Sequence, residues 1–418
     1  MSHTKEISSY EHLLAESHLV ESIVSPEMAD VVFDMGKGTI KSLIPVWKEN
    51  TIKNLGLYKK HGSLRSAFNG FCANKAIIAV GAGPSFNKNK EVLKAIYKIN
   101  IQYPLDKQPF FIISSNKQLK PLLDMGIFPH ATILIDAGDA LYPQLCDDMP
   151  SWAKNSILIT GMHTSHKILK KWDKHGGLIS FFIIGEDEDK KWFEKETGED
   201  ADYVWTSQGG NVMNTLWILA NRVFKTQVFI MVGNDLCFKY SADKEERSKS
   251  FYADGDYRLN ILNKRDEAKD NLGWMGFNLK QSVIQPERLM IDLELVGMSR
   301  QLWVYKTWLE VQSTILSDKH KFHIFNASES GVCGMIARKH DSASMAMKEN
   351  WFLLDDLHKK WTTTTLAKAC QTYLEARALC QIRTDAKPAG LWEGVTGTAR
   401  GTGLSLPSRN STGLISAM

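Results

Sequence analysis

From Lys75 onward the chain alternates short β-rich apolar runs with amphipathic stretches, and this alternation constrains the fold more than any other feature. The apolar runs are AIIAVG, PFFIISS, ATILID, SILIT, LISFFIIG and QVFIMVG. Between them lie NKNKEVLKAIYKI, NKQLKPLLDMG, HKILKKWDKH and the long apolar stretch VMNTLWILANRVF. Strands separated by helices pair in parallel and bury both faces of their sheet, so the pattern predicts an α/β, Rossmann-like fold: a mostly parallel sheet covered by helices. The α/β core is expected to end near Cys237.

The flanks read differently. Leu13, Leu14, Val20, Met28, Val31, Val32 and Met35 recur at helical spacing and predict a helical N-terminal segment over 1–68. The α/β domain is assigned to 69–336. Within it, the polar, turn-rich stretch 239–285 reads as a lid or loop insertion. A helix is predicted over 290–317, with Trp303, Tyr305 and Trp308 among its apolar residues, and FHIFNASESG reads as a last strand and turn. A helical C-terminal segment is expected over 337–382. The remainder, 383–418, is rich in Gly, Ser and Thr without periodicity and is expected to be disordered.

Composition removes several classes of function. With 418 residues, 43% hydrophobic, the chain has ample material for a core. Lys+Arg number 51 against 47 Asp+Glu, a net charge of +4 with the two signs interleaved, so no basic face tracks a nucleic-acid backbone and no nucleic acid is expected as a partner. Six scattered cysteines without a CxxC pair argue against structural zinc and against a disulfide framework. No stretch reaches the ~18 apolar residues of a membrane span, and the first residues lack the apolar core of a signal peptide, so a cytoplasmic location is expected.

Five segments carry candidate chemistry. In GAGPSF, Gly81, Gly83, Pro84 and Ser85 form a strand-to-helix turn where free amides and the helix dipole favour a phosphate, although a tight turn alone would need the same glycines. A side chain at Gly83 is then expected to block binding without unfolding the chain. Asp136 ends the ATILID strand and Asp139 follows it. At the carboxyl edge of an open sheet the two can hold Mg²⁺ beside substrate phosphates, or one of them can cap the next helix. His163, in TGMHTSHK, suits either an acid–base role or a structural hydrogen bond, and His166 is expected on the surface of the following helix. Gln208, Gly209, Gly210 and Asn211 precede the long apolar helix and offer a second phosphate or sugar site, or an Asn cap with glycines that permit close packing. Asn234 and Asp235 end a further strand, to bind ligand or to anchor the loop after it.

Together GAGPSF, KQLKPLLDMGIFPHATILIDAGD, QGGNVMNTLWILANRVFKTQVFIMVGNDLCF and HIFNASESGVCGMIA resemble the MptE-like family, over roughly Asn69 to Ile336. That family includes archaeal 6-hydroxymethylpterin diphosphokinases and Maf motility accessory factors, the latter regarded as flagellin glycosyltransferases. The kinases carry D-x-D-G after the strand that ends here in Asp136, and later H-A-H-G-D-N. This chain has Ile135-Asp136-Ala137-Gly138-Asp139 and Gly161-Met162-His163-Thr164-Ser165-His166 at those places. The resemblance therefore implies a Maf-type transferase whose donor is a CMP-linked nonulosonic acid. Gly81 to Ser85 and Gly209 to Asn211 would hold the nucleotide, and Asp136 and His163 would serve the reaction. A Mg-ATP-dependent diphosphokinase, with Asp136, Asp139 and Asp235 on the metal, is the alternative; a non-catalytic nucleotide-binding module is the third. The acceptor implied is a protein hydroxyl or a small molecule.

Overall fold

The computed structural model describes residues 26–139, 142, 145, 156–184, 187–206, 210–239, 274–285, 288–298, 302, 305–310, 312–313, 322–333, 337–339 and 361–385. The chain divides into two compact units, Met1–Leu374 and Glu375–Met418, and the sites discussed below lie in the first.

Helix α1 (Pro26–His61) and the short α2 (Leu64–Phe68) precede the sheet. Then come β1 (Ala76–Val80), α3 (Phe86–Asn100), β2 (Phe110–Ser115), α4 (Leu119–Asp124), β3 (Ala131–Leu134) and β4 (Ile157–Gly161). They are followed by α5 (His166–Lys174), β5 (Leu178–Phe182), α6 (Asp187–Thr197), α7 (Ala201–Val204), α8 (Val212–Arg222) and β6 (Val228–Val232). After β7 (Phe238–Lys239), β8 (Trp274–Gln285) and β9 (Arg288–Met298), the sheet is completed by β10 (His323–Asn326) and β12 (Trp361–Thr363), with β11 (Ala337–Lys339) between them. Helix α9 (Leu366–Asp385) comes last.

Eight strands form one sheet in the order β12-β10-β6-β1-β2-β3-β4-β5, and every pairing in it is parallel. All five residues of β1 and all six of β2 are buried, as expected for central strands covered on both faces, which is why these segments read as unbroken apolar runs. On one face Leu216 and Trp217 of α8, with Phe224 just beyond it, pack against β1, β2 and β3 residues. Phe86 and Leu93 of α3 and Leu366 of α9 cover the other. Toward β5, Tyr58 of α1 and Trp172 of α5 pack with Phe181 and Phe193.

Four boundaries differ from the sequence reading. The sheet does not end near Cys237, because β10 and β12 extend it beyond β6, and FHIFNASESG is not its last strand. The stretch 239–285 is not all loop: β7 and β8 occupy its two ends, while 240–273 lies outside the described residues. The helix expected over 290–317 begins as strand β9, antiparallel to β8 in a second sheet ordered β11-β8-β9-β7. Ile291, Leu293 and Leu295 alternate with Asp292 and Glu294, a period of two that a helical reading overlooks. Among the described residues that follow β9, 302, 305–310 and 312–313 are helical. The C-terminal segment is partly strand, and the expected tail is helical to Asp385 and otherwise outside the described residues, as are 1–25.

Candidate functional site at the carboxyl edge of the sheet

Strands β2 to β5 lie on one side of β1, while β6, β10 and β12 lie on the other, so the order of the sheet reverses between β1 and β6. Open α/β sheets take ligands in the crevice outside the strand ends at such a reversal. Both GAGPS and GNDL stand there.

The GAGPS bend is closed by the chain itself. The amide of Gly81 donates to Val232 O and that of Gly83 to Gly233 O, each at 2.7 Å, and the Phe86 amide donates to Gly83 O. Ser85 gives its amide (2.8 Å) and its hydroxyl to the two oxygens of Asp235, whose side chain is buried. A helix N-terminus attracts an anion, and here the anion is Asp235. The glycines serve close approach: a Cβ on Gly81 would stand 2.4 Å from Gly233 O, one on Gly83 2.7 Å from the Asp235 carboxyl carbon, and one on Gly331 2.7 Å from Asp235 Cα. Gly81, Gly83, Pro84 and Ser85 are therefore not an open phosphate cradle, which corrects the expectation drawn from the sequence. Burial pushes the Asp235 carboxyl up to about 6, with Ser85 and the charge of Lys88 pulling the other way. The next residue, Leu236, has φ 53°, an uncommon conformation for a non-glycine residue, as does Glu329 at φ 56° in the loop after β10.

Behind Asp235 lies a polar cluster that the sequence reading missed. Lys306 Nζ contacts both oxygens of Glu310, at 2.6 and 2.7 Å, and both side chains are buried. The two charges act on the Cys333 thiol at a distance: burial pushes its pKa up, with Glu310 and Asp235 adding to the rise and Lys306 opposing it. Cys333 donates weakly to Asn234 O at 3.6 Å, and the Asn234 amide donates to Ser328 Oγ at 3.1 Å. Asn234 is thus held inside the fold. Spaced four residues apart on a helix, Lys306 and Glu310 read in sequence as a solvated pair; the only signal of their burial is the apolar Trp308 and Leu309 between them.

The second glycine turn is different. Asn211 caps α8 through its side chain, accepting from the Asn214 amide at 2.8 Å, and Asn211 O accepts from the Thr215 amide. The amides of Val212 and Met213 have no partner among the described residues. Gly210, at φ 81°, stands against the Tyr305 ring, which a Cβ would approach to 2.7 Å. Gln208 and Gly209 lie outside the described residues. Trp205 forms a bridge beside Ile183, just past β5, and α8 then packs across β3 and β1 before the chain enters β6, so its first turn stands at the edge where β3 and β4 end.

At that edge Asp136 is half-buried and its carboxylate is in no hydrogen bond or ion pair among the described residues, while its main-chain oxygen accepts from the Ser165 amide. Asp139 instead accepts the hydroxyl of Ser165, the residue that caps α5. No group of three or more His, Cys, Asp or Glu side chains converges on a metal position among the described residues. Asp136 and Asp139 alone do not form a cage, and Mg²⁺ there would depend on substrate oxygens for most of its ligands.

His163 is enclosed. Its ring lies against Gly161, meets Trp47 of α1 edge-on at 5.5 Å and reaches Ile135 O through Nε2 at 3.2 Å. Burial lowers its pKa to about 4 and keeps the ring neutral. In this packing the ring supports the loop from inside the fold, and its burial favours the structural hydrogen bond over the acid–base role among the two expected for it. Two further residues unseen in sequence hold the same loops: Asn50 donates to Ala137 O (2.9 Å) and His163 O (3.1 Å), and Asn54 to Met162 O and Thr164 O, both at 2.8 Å. Their spacing of one helical turn on α1 was the available signal.

Residues 49–241 match the family model described as 6-hydroxymethylpterin diphosphokinase MptE-like. Among solved structures, the Maf glycosyltransferase from Magnetospirillum magneticum AMB-1 is similar at 15% identity and a TM-score of 0.40, covering 77% of this chain and 41% of that one. The chain thus spans under half the length of that protein. No curated protein matches the chain.

Proposed function

We propose that the MptE-like segment, residues 49–241, together with the strands that complete its sheet, is a transferase domain acting on a nucleotide-activated donor. The observation that carries this reading is the match of the family model across β1 to β6, the strands on both sides of the reversal in sheet order. With the GAGPS bend filled by Asp235, the donor phosphate is assigned to the first turn of α8, where the Val212 and Met213 amides and the positive end of the helix dipole are available. Asp136, across the same edge, is the carboxylate that would orient a sugar hydroxyl or take the proton of the acceptor hydroxyl. The donor proposed is a CMP-linked nonulosonic acid, in line with the Maf-like departures of the sequence from the kinase motifs, and the acceptor is a hydroxyl compound.

The description of the matched family favours a second reading, a diphosphokinase using Mg-ATP. Ligand-dependent melting separates the two, since a ligand that binds only the native state raises its apparent stability. CMP without metal is expected to raise the melting temperature and ATP to do so less; a rise seen only with Mg-ATP would transfer the assignment to the kinase. Asp136→Asn is expected to keep the CMP shift and lose turnover, and full turnover in that variant would remove Asp136 from the reaction.

A further inference from the structure

On the flank of the molecule, away from the β1–β6 crevice, a cleft opens between α2, the segment from Asp202 to Thr206 and the last turns of α8. Leu64, Phe182, Leu219 and Val223 supply its apolar wall, and Arg65 and Arg222 reach it from two different helices. Lys225, two residues beyond α8, adds a third positive charge within electrostatic reach of both arginines. None of the three has a carboxylate partner among the described residues. Asp202, the carboxylate in the lining, is taken by Lys190 at 2.8 Å. Arg65 is fixed by donating to Tyr203 O at 2.8 Å and by lying over the Tyr203 ring, and Arg222 lies over Trp205. The Arg222 pKa is lowered by desolvation and then by Arg65, and that of Lys225 by desolvation and then by both arginines.

Two cations at the end of α8 complement its dipole and would need no further explanation. That account leaves out Arg65, which converges from α2. It also leaves out Thr206, which is 2% exposed and whose hydroxyl has no hydrogen-bond partner among the described residues. A buried hydroxyl without a partner beside uncompensated positive charge is a donor awaiting an acceptor. Arginine forks match the oxygens of phosphate, and a phosphomonoester carries close to two negative charges at neutral pH.

We propose that this cleft binds the phosphate of a small phosphomonoester, held by Arg65, Arg222 and Lys225 with the Thr206 hydroxyl donating from the floor. The site is separate from the donor position at the start of α8 and does not depend on it.

The test uses the full chain at low ionic strength, titrated by calorimetry with inorganic phosphate and with phenyl phosphate against chloride of matched ionic strength. Saturable binding of both probes is expected. Arg222→Gln should weaken it at least tenfold while melting no lower than the parent in phosphate-free buffer, because one of three like charges has been removed. Thr206→Val should weaken binding severalfold without loss of stability, and Lys225→Gln provides a second charge variant should Arg222→Gln fold poorly. Absence of saturable binding to the parent overturns the proposal. Binding left unchanged by Arg222→Gln and Lys225→Gln also overturns it, and would place the anion elsewhere, the first turn of α8 included.

Discussion

Asp235 is a carboxylate withdrawn from water and surrounded by main chain, and its pKa of about 6 makes it a measurable feature of the native state. An unfolded aspartate ionises near 3.8. Between that value and about 6 the folded chain therefore holds a proton that the unfolded chain has released. Stability from this group is greatest below pH 3.8 and declines as pH rises through the interval, by roughly 3 kcal/mol in all. Asp235→Asn keeps the shape and can still accept from the Ser85 amide. Urea denaturation at pH 8 is expected to find it at least as stable as the parent. Asp235→Ala leaves that amide buried without an acceptor and is expected to cost about 1–3 kcal/mol. Equal stability of parent and Ala variant at pH 8 would show that the carboxylate is not the partner this turn requires.

At the scale of elements, β1 and β6 end so close together that their connecting turns interlock. The sequence reading expected Gly83 to accept a larger residue with the fold intact, but a Cβ there would lie 2.8 Å from Gly233 O as well as against Asp235. Gly83→Ala is expected to destabilise by about 1–3 kcal/mol through overpacking, and chemical denaturation would read this directly. The strands from β1 to β6 and helices α3, α4, α5 and α8 were legible because each is marked by its own period and by the turn residues at its ends, whereas α6 and α7, polar and short, were not assigned. The partners of their turns were not, since GAGPS and GNDL are some 150 residues apart and nothing local in either says that one fills the other. Asp235 was expected to bind ligand or to anchor the loop after it, and it holds instead the first turn of the protein's own helix α3 through Ser85. The error over β9 had a local cause: the aromatic residues from Trp303 onward drew the helical assignment too far toward the N-terminus, over a stretch whose period is two.

Across the whole molecule, two histidines oppose Asp235 in the response to acid. His130 and His163 both have pKa values lowered to about 4, chiefly by burial. Unfolded histidine takes a proton near 6.5, so the stability these groups contribute is complete above that pH and is lost as pH falls toward 4. For the fully enclosed His163 the loss amounts to roughly 3 kcal/mol. Acidification from pH 6.5 to 4 is expected to destabilise the chain, with Asp235 moderating the fall, so that Asp235→Asn should show the steeper decline across the same interval. Parallel declines in parent and variant would detach Asp235 from the balance. The order of the sheet, by contrast, left no trace in any local pattern, because the choice of side for β6 rests on where α8 and the residues just after it lay Trp217 and Phe224 once the helix has crossed β3 and β1.

Asn50 and Asn54 grip the turns after β3 and β4 mainly through main-chain carbonyl oxygens, and Asn54 Oδ1 meets one side chain, His166 Nδ1, at 2.8 Å. A clasp whose donors all reach atoms common to every amino acid is indifferent to most of the letters written in those turns, His166 excepted. Relatives of this chain could therefore rewrite the rim of the crevice, and with it the choice of what enters, while the rim keeps its position.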